Sequence, residues 1–386
     1  MSKIEKLIEE LCPNGVEYKK LEFCCRILDN KRKPISKNSR NIGIYPYYGA
    51  NGIQDYIDNY IFDGKYVLIG EDGSVQTQNG NPIVNWAEGK IWVNNHAHII
   101  EEANNVLLRY LFHYLQIVDV SDLIHGNIPK LTGSDFRNII VPVPSLEVQE
   151  EIVRILDKFR ELEAELEAEL EARKSQYEFW RDKLLNNNMQ KFYIKDICIN
   201  ISSGGTPSTR NPDYYNGNIP WLRTQEINWN SIKDTEIKIT NEAVLNSSAK
   251  LIPKNCVIIA MYGATVGKSA FNNIPLTTNQ ACCNLEINSN LANYKYVFYW
   301  FLNKYKYIKS LGQGSQTNIN SQIIKNLVIE LPSLQEQEKI VNILDKFNKL
   351  VNDISEGLPA EIEARRKQYE YYRNKLLSFE ELVVNE

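Results

Sequence analysis

Side chains that can bind the phosphates and bases of a nucleic acid are concentrated in two separate parts of the chain. Lysine and arginine pair with phosphates, and arginine, asparagine and glutamine can also make paired hydrogen bonds to base edges. The candidates in the first part are Lys31, Arg32, Lys33, Lys37, Arg40, Tyr45, Tyr47, Tyr48 and Asn51. Those in the second part are Arg210, Trp221, Arg223, Thr224, Lys268, Gln313, Ser315 and Gln316. Glycine, proline and serine surround both groups, which predicts exposed loops.

Two further motifs resemble parts of enzyme active sites, but neither matches the required pattern. Residues 263–269 read GATVGKS, whereas a phosphate-binding loop needs a glycine five positions before Gly267, where this chain has Tyr262. Residues 211–214 read NPDY, with Asp213 in place of the second proline of the amino-methyltransferase signature, and no hydrophobic strand precedes them. We therefore expect no catalytic residues in this chain, and neither nucleotide binding nor methyl transfer by the chain alone.

His96 and His98 are two residues apart on a predicted strand and should share one face. A structural zinc site needs four ligands, and neither His113 nor His125 is obviously placed to add one. We interpret the pair as structural or as facing nucleic acid, and expect no metal.

Two long segments of the chain occur twice. PSLEVQEEIVRILDKF at residues 144–159 returns as PSLQEQEKIVNILDKF at residues 332–347, and EARKSQYEFWRDKLL at residues 171–185 returns as EARRKQYEYYRNKLL at residues 363–377. Apolar residues at three- and four-residue steps predict amphipathic helices that pair in antiparallel fashion. The residues expected to pair the helices or to dock a partner are Phe159, Leu162, Leu166, Leu170, Tyr177, Trp180, Phe347, Tyr369 and Tyr372.

Residues 161–172 of the first repeat are three consecutive ELEA tetrapeptides. The second repeat lacks this array, and its matching interval is four residues longer, which nearly preserves a helical apolar face. Each tetrapeptide lengthens a helix by about 6 Å. If the helix spaces two DNA-binding parts, one unit corresponds to roughly one to two base pairs. A low-complexity helix without any spacing role is the alternative.

The parts between the repeats are expected to be mixed α/β, with short strands at residues 65–70 and 256–261 and aromatic helices at residues 107–117 and 294–306. The predicted fold class is α/β (α+β): two globular domains separated by two long antiparallel coiled-coil helices, with a pseudo-twofold internal repeat. The predicted boundaries are an N-terminal helical segment (1–14), domain 1 (15–143), a central long helix (144–188), domain 2 (189–331) and a C-terminal long helix (332–386).

Charge is distributed unevenly along the chain. Residues 190–331 hold 14 basic and 8 acidic residues, whereas residues 15–145 hold 13 and 14 and both repeats are acidic. The overall charge of −4 thus conceals a basic second domain. The 7 cysteines, with no CxxC pair, favour reduced thiols and a cytoplasmic protein. No apolar run of about 18 residues predicts a membrane span.

The whole pattern resembles the specificity subunit of type I restriction-modification systems. The resemblance covers nearly the whole chain and is strongest in the two repeats, in GGTPS at residues 204–208, in IPWLR at residues 219–223 and in the loops at Gly126 and Gly314. The ELEA array is similar to the tetrapeptide spacer of one branch of that family. The first domain departs from the family pattern because its charge is nearly neutral, which predicts weaker binding of DNA phosphates there.

This resemblance implies a non-catalytic subunit that binds double-stranded DNA, each domain recognising one half of a two-part target. The helices would set the spacing and dock two methyltransferase subunits for adenine N6-methylation, with restriction-translocase subunits added for cleavage. S-adenosylmethionine, ATP and Mg would be bound by those partners and no cofactor by this chain. Two alternatives stay open: a stand-alone divergent DNA methyltransferase, and a coiled-coil scaffold that recognises no sequence.

Overall fold

The computed structural model describes residues 3–73, 75–186, 190–312, 318–353 and 355–382. The chain divides into two units. Unit 1 comprises Met1–Glu167 and Glu361–Glu386, and unit 2 comprises Ala168–Ala360. Among the described residues, no helix is both long and apolar enough to span a membrane.

The helices are α1 Lys3–Leu11, α2 Leu108–Leu115, α3 Gly133–Arg137, α4 Leu146–Leu185, α5 Asn241–Leu245, α6 Tyr294–Asn303, α7 Tyr305–Ser310, α8 Ser321–Lys325, α9 Leu334–Asn352 and α10 Leu358–Leu376. The strands of unit 1 are β1 Glu17–Lys20, β2 Cys25–Ile27, β3 Ile42–Gly49, β4 Gly52–Ile57, β5 Phe62–Gly70, β6 Val84–Val93, β7 Ala97–Glu102, β8 Ile124–His125, β9 Lys130–Leu131 and β10 Ile140–Val143. Those of unit 2 are β11 Gln190–Tyr193, β12 Cys198–Ser203, β13 Tyr215–Leu222, β14 Ser231–Ile232, β15 Lys238–Ile239, β16 Leu251–Ile252, β17 Val257–Ala260, β18 Ser269–Asn272, β19 Leu276–Thr278, β20 Cys282–Ile287 and β21 Val328–Leu331.

Unit 1 is built on a six-stranded sheet in the order β2-β7-β5-β6-β3-β4. Its pairs are antiparallel except β3 with β6, which run parallel. The central strand β5 contains the predicted β-run, and residues 66–70 of it are buried, as expected of a strand covered on both faces. The aromatic helix α2 covers the sheet through the buried side chains of Tyr110, Leu111 and Phe112.

Unit 2 contains a five-stranded sheet, β12-β20-β17-β18-β14, and a four-stranded sheet, β15-β13-β19-β16. The predicted β-run forms β17, and the predicted aromatic helix forms α6 and α7. Six consecutive residues of α6, from Tyr296 to Phe301, are buried. The two α/β modules and the long helices confirm the predicted fold class.

The second repeat departs from the expected single helix over residues 332–386. It forms α9 and α10, which are interrupted at residues 353–357. The break lies where the second repeat has its four extra residues, and Pro359 follows it in the first turn of α10, where a missing N–H costs no hydrogen bond. Gly357 is required there, because a Cβ on it would lie 2.5 Å from the carbonyl oxygen of Lys349. The first repeat, without these residues, is the continuous 40-residue helix α4.

A buried glutamine joins each repeated helix to its module. In unit 1, Gln149 accepts a hydrogen bond from Leu107 N at 2.9 Å and donates to the carbonyl oxygen of Pro144 at 2.9 Å. In unit 2, Gln337 accepts from Asn293 N at 2.8 Å and donates to the carbonyl oxygen of Pro332 at 2.9 Å. Both glutamines are fully buried. The repeated sequence PSLxxQ therefore encodes a fixed angle between the helix start and the loop before the aromatic helix.

Replacing Gln337 with alanine should leave the N–H of Asn293 and the carbonyl of Leu291 without their side-chain partner inside the protein. We expect the free energy of unfolding of unit 2 to fall by about 2–4 kcal/mol, since each buried polar group left unpaired costs about 1–3 kcal/mol. The measurement is the urea midpoint of the full chain. The control Gln322→Ala, at an exposed position of α8, should change stability by less than about 0.5 kcal/mol. Equal effects of the two variants would contradict this role.

Candidate nucleic-acid interface

The repeated motif LDKF places an aspartate under the aromatic helix of unit 1. Asp157 accepts hydrogen bonds from Arg109 Nε at 2.8 Å and from His113 Nε2 at 2.8 Å. Burial tends to raise the pKa of Asp157, but these bonds outweigh it and hold the pKa below its ordinary value. Burial also lowers the pKa of His113, and the hydroxyl of Tyr369 lies 3.1 Å from its Nδ1. The arrangement fits a neutral imidazole between a carboxylate and a phenol.

Unit 2 repeats this junction with different partners. Asp345 accepts from Lys295 Nζ at 2.6 Å and from the hydroxyl of Tyr299 at 2.6 Å. Burial and the hydrogen bond to Asp345 both raise the pKa of Tyr299, so the phenol stays protonated. Lysine and tyrosine thus replace the arginine and histidine of unit 1 around the same carboxylate.

The predicted helix-packing residues make contacts within each unit. In unit 1, Phe159 stacks on Tyr372 with centroids 5.3 Å apart, and Arg366 pairs with Glu163 at 2.9 Å. These pairs show that the first part of α4 runs antiparallel to α10. In unit 2, Tyr177 stacks on Phe347 at 6.2 Å and Leu170 packs on the same core. Tyr369 is buried, Leu162 and Leu166 are half-buried, and Trp180 is exposed.

In unit 1, Arg32 is engaged inside the protein. Its Nη1 donates to Glu71 at 2.5 Å and to the carbonyl oxygen of Ala97 at 2.7 Å, while Nε donates to the carbonyl of Asp29 at 2.9 Å. The expected contact of Arg32 with DNA is therefore corrected: its guanidinium holds the loop in place. Lys31, Lys33 and Lys37 are exposed around it, and their contacts with phosphates stay predictions.

The predicted histidine pair is divided between two environments. His96 precedes β7 and contacts Asp72, whereas His98 is fully buried. Both ring nitrogens of His98 face acceptors, Asp29 at 2.6 Å and the carbonyl oxygen of Leu131 at 2.9 Å. Asp29, Glu71 and His98 bring possible ligand atoms within 4.8 Å of one another. Arg32 already pairs with Glu71, and both ring nitrogens of His98 already have hydrogen-bond partners. This cluster therefore fits a structural role better than a cation-binding role.

Several predicted contact residues of unit 1 instead form the base of the loop. Tyr47 and Tyr48 are buried, which excludes them from direct DNA contact. The guanidinium of Arg40 lies 4.1 Å from the ring centroid of Tyr47 and donates to the carbonyl oxygen of Ile35 at 3.1 Å. Asn51 is exposed in the β3–β4 turn, and Tyr45 is half-buried against Tyr60 at 5.1 Å.

In unit 2 the corresponding aromatic residue is also structural. Trp221 is buried and donates from Nε1 to the carbonyl oxygen of Gly205 at 2.9 Å, so its predicted DNA contact is corrected. Arg223 is half-buried and pairs with Glu236 at 2.6 Å. Thr224 is half-buried, and Arg210 is exposed. Gln313, Ser315 and Gln316 lie outside the described residues.

The two enzyme-like motifs have ordinary structural roles. After β17, residues 261–268 turn directly into β18, whereas a phosphate-binding loop leads into a helix. Lys268 donates to Asn228 at 2.6 Å. The side chain of Asn211 accepts from Asp213 N at 3.2 Å and caps its own short helical turn.

The sequence interpretation missed the most exposed apolar side chains of unit 1. Ile42 is 96% exposed and Ile44 is 77% exposed, both in β3. In the neighbouring strand β6, Lys90 lies 4.6 Å from the ring centroid of Tyr60. The sequence does contain a signal for Ile42 and Ile44, since both β-branched residues directly follow the basic loop at residues 30–40.

Comparisons with known proteins agree with this architecture. Residues 13–172 and 186–364 each match the type I restriction modification DNA specificity domain. A Haemophilus influenzae relative that carries the name of a type I restriction enzyme specificity subunit is 36% identical, over 97% of this chain and 98% of its own. The Escherichia coli EcoR124I/EcoR124II specificity subunit is 38% identical, over 72% of each chain. A Mycoplasma genitalium type I S subunit crystal structure shares the fold, with a TM-score of 0.61, 14% identity and coverage of 95% and 97%.

The chain therefore belongs to the type I restriction-modification DNA specificity family. Within that family it is the subunit that determines the DNA sequence specificity of a restriction-modification system.

The buried His113 predicts a loss of stability in mild acid. Because its pKa is lowered in the folded chain, the unfolded chain gains a proton that the folded chain does not as the pH falls below about 6.5, the ordinary imidazole value. Stability should therefore decrease from pH 7 to pH 5. His113→Gln keeps a donor for Asp157 without a titrating group, so its melting temperature should depend less on pH. The control His125→Gln, at an exposed histidine, should retain the wild-type slope; a slope unchanged in His113→Gln would refute the assignment.

Proposed function

We propose that this specificity subunit is itself non-catalytic and that each unit recognises one half of a two-part DNA target. One observation carries the proposal: the same framework occurs twice and presents different loops. Gln149 and Asp157 in unit 1 correspond to Gln337 and Asp345 in unit 2, with matching hydrogen bonds. A duplicated frame matches the pseudo-twofold relation between the two strands of a duplex.

In this proposal, different side chains of the loops contact the phosphates and the bases of the DNA. The exposed Lys31, Lys33 and Lys37 of unit 1 and Arg210 of unit 2 hold phosphates. Polar and apolar side chains beside them contact base edges and select the sequence. Each unit then holds one adenine within reach of one methyltransferase subunit, which extrudes and methylates it at N6.

The partners supply the chemistry. Two methyltransferase subunits bind S-adenosylmethionine, and added restriction-translocase subunits use ATP and Mg for cleavage. The chain itself binds double-stranded DNA and these subunits, in the cytoplasm, and needs no cofactor. The experiments below separate this proposal from the two alternatives that the sequence left open, a divergent methyltransferase and a scaffold that recognises no sequence.

Methylation mapping of cells that express this chain with its methyltransferase tests the proposal. A methylated adenine motif in two parts separated by a gap is expected; an absent or unpatterned signal would favour the scaffold. Purified chain incubated with labelled S-adenosylmethionine and DNA should transfer no label. Transfer above the level of a no-protein control would favour the stand-alone enzyme.

Deleting residues 165–168, one ELEA unit of α4, should shorten the non-specific gap by roughly one to two base pairs, because it removes about 6 Å of helix. Both half-sites should stay unchanged in the same methylation map. A matched control exchanges the exposed Glu165 and Ala168 (Glu165→Ala/Ala168→Glu) and keeps both the length and Leu166, so the gap should not change. An altered half-site after the deletion would mean that the array contacts bases.

Two exposed aromatic pairs are the proposed docking points for the methyltransferase subunits. In unit 2, Phe179 is 61% exposed and packs edge-on against Trp180, with centroids 5.5 Å apart. In unit 1, Tyr371 is 62% exposed and packs edge-on against Tyr372 at 5.3 Å. Exposed aromatic residues are enriched at protein interfaces, and the two pairs occupy equivalent positions of the repeats.

Phe179→Ser and Tyr371→Ser should each reduce the bound methyltransferase from two copies to one, and the double variant should bind neither. Loss of an aromatic contact of this kind weakens association by about 2 kcal/mol. Mass measurement of the co-purified complex counts the copies. Phe23→Ser, at an exposed phenylalanine of unit 1, serves as the control; full occupancy in the double variant would exclude these pairs as docking points.

A further inference from the structure

A β-bulge with a glycine at its centre occurs at the same place in both units. In unit 1, Ile42 and Tyr45 of β3 both align with Ile57 of β4, so Gly43 and Ile44 lie outside the ladder. In unit 2, Tyr215 and Ile219 of β13 both align with Ile239 of β15, which leaves residues 216–218 outside it. The glycine stands three residues before a proline in each case, at Gly43 and Gly217.

The strands continue in the same way after each bulge. In unit 1, β3 pairs in parallel with β6 through Tyr47 and Trp92. In unit 2, β13 pairs in parallel with β19 through Trp221 and Thr277. Tyr47 and Trp221 are the buried aromatic residues described above, so each bulge projects from an anchored strand. The two bulges are therefore structural equivalents.

Neither central glycine can be replaced without moving the backbone. A Cβ on Gly43 would lie 2.2 Å from the carbonyl carbon and oxygen of Ile57, and one on Gly217 would lie 2.2 Å from the carbonyl oxygen of Ile239. The backbone is pressed against the neighbouring strand at these points. The side chains on both sides of the glycine consequently project into solvent: Ile42 and Ile44 in unit 1, Asn216 and Asn218 in unit 2.

The surroundings of the apolar pair are polar and carry charges of both signs. Lys37 and Arg40 precede it, and Lys90 lies over the Tyr60 ring that packs against Tyr45. The nearby acids are engaged, since Asp55 pairs with Arg40 at 3.4 Å and Asp58 accepts from Asn41 at 2.9 Å. Two isoleucines this exposed at the edge of a basic loop suit a ligand that has both phosphates and small apolar groups.

We infer that the paired side chains of each bulge determine base choice: Ile42 and Ile44 contact thymine methyl groups in one half-site, and Asn218 recognises adenine in the other. The inference rests on the proposed two-part DNA recognition and adds the residues and base types to it. The thymine C5-methyl is the apolar group that a base pair presents in the major groove, and an asparagine side chain can bond adenine N6 and N7 together. The structural equivalence of the bulges then explains how one frame serves two different half-sites.

The test begins with the wild-type complex of this chain and its methyltransferase, on duplexes carrying the mapped motif. Deoxyuridine is placed at each thymine of both half-sites in turn, which removes only the C5-methyl group. At one or two positions of a single half-site, binding should weaken roughly fourfold, the effect of one lost buried methyl contact. If no thymine-to-deoxyuridine replacement weakens binding, the inference is overturned. This outcome does not depend on whether any protein variant folds.

The double variant Ile42→Asn/Ile44→Asn should lose this sensitivity to deoxyuridine and change the required base at the same positions. The other half-site and the gap should stay unchanged. Ile199→Asn, at an isoleucine that is 65% exposed on β12, should leave the whole motif unchanged. A double variant that keeps the wild-type motif, or that no longer binds the methyltransferase, overturns the inference; the second result would identify the isoleucines as a protein contact.

Asn218→Ile provides the reciprocal experiment in unit 2. It should remove the requirement for an adenine at one position of the second half-site and leave the first half-site intact. An unchanged second half-site contradicts the role of Asn218. A wild-type map without any two-part motif would instead overturn the proposed function itself, so the two failures can be told apart.

Discussion

The buried contact between each repeated helix and its module is the constraint on which the rest of the structure depends. Gln149 and Gln337 each bridge the helix start and the loop before the aromatic helix through buried hydrogen bonds. A glutamine amide that is completely buried is stable only with partners for both its oxygen and its nitrogen. Any tilt of the helix would break these bonds, so the module and the helix are held as one piece. The same two bonds occur in both units, which is why a single frame can support two modules with different loops.

The aspartates about two helical turns further along form a second link between each helix and its module. Asp157 and Asp345 occupy the same position of the repeat, yet one is bound by arginine and histidine and the other by lysine and tyrosine. Each set of donors neutralises a half-buried carboxylate, and its members come from the aromatic helix of that unit. The partners therefore differ between the two units while the carboxylate is the same. In unit 1 a fourth residue, Tyr369 of α10, extends the network to the paired helix.

Around this frame, the division between support and recognition follows burial. Tyr47 and Trp221 lie beneath the loops and fix them through the backbone oxygens of Ile35 and Gly205. Arg32 also fixes its loop, because its guanidinium donates hydrogen bonds to Glu71 and to the backbone carbonyl of Ala97. The groups left outside are lysines, amides and the two isoleucines of the bulge. Such a rigid support tolerates changes at the exposed loop positions with little cost in stability.

The sequence by itself determined the elements that depend on local periodicity and repetition. These elements are the two equivalent modules, the aromatic helices and the central strands, and the family follows from the same patterns. All of them are visible in the linear sequence, because helix and strand periods are set by neighbouring residues. The break between α9 and α10 also has a local cause, in Gly357 and Pro359, but the similarity of the two repeats predicted one continuous helix. Only the tertiary structure decided which aromatic and basic residues face solvent. Tyr48 is buried and Ile42 is exposed because residues far along the chain cover the first and leave the second open, and no local pattern records that coverage.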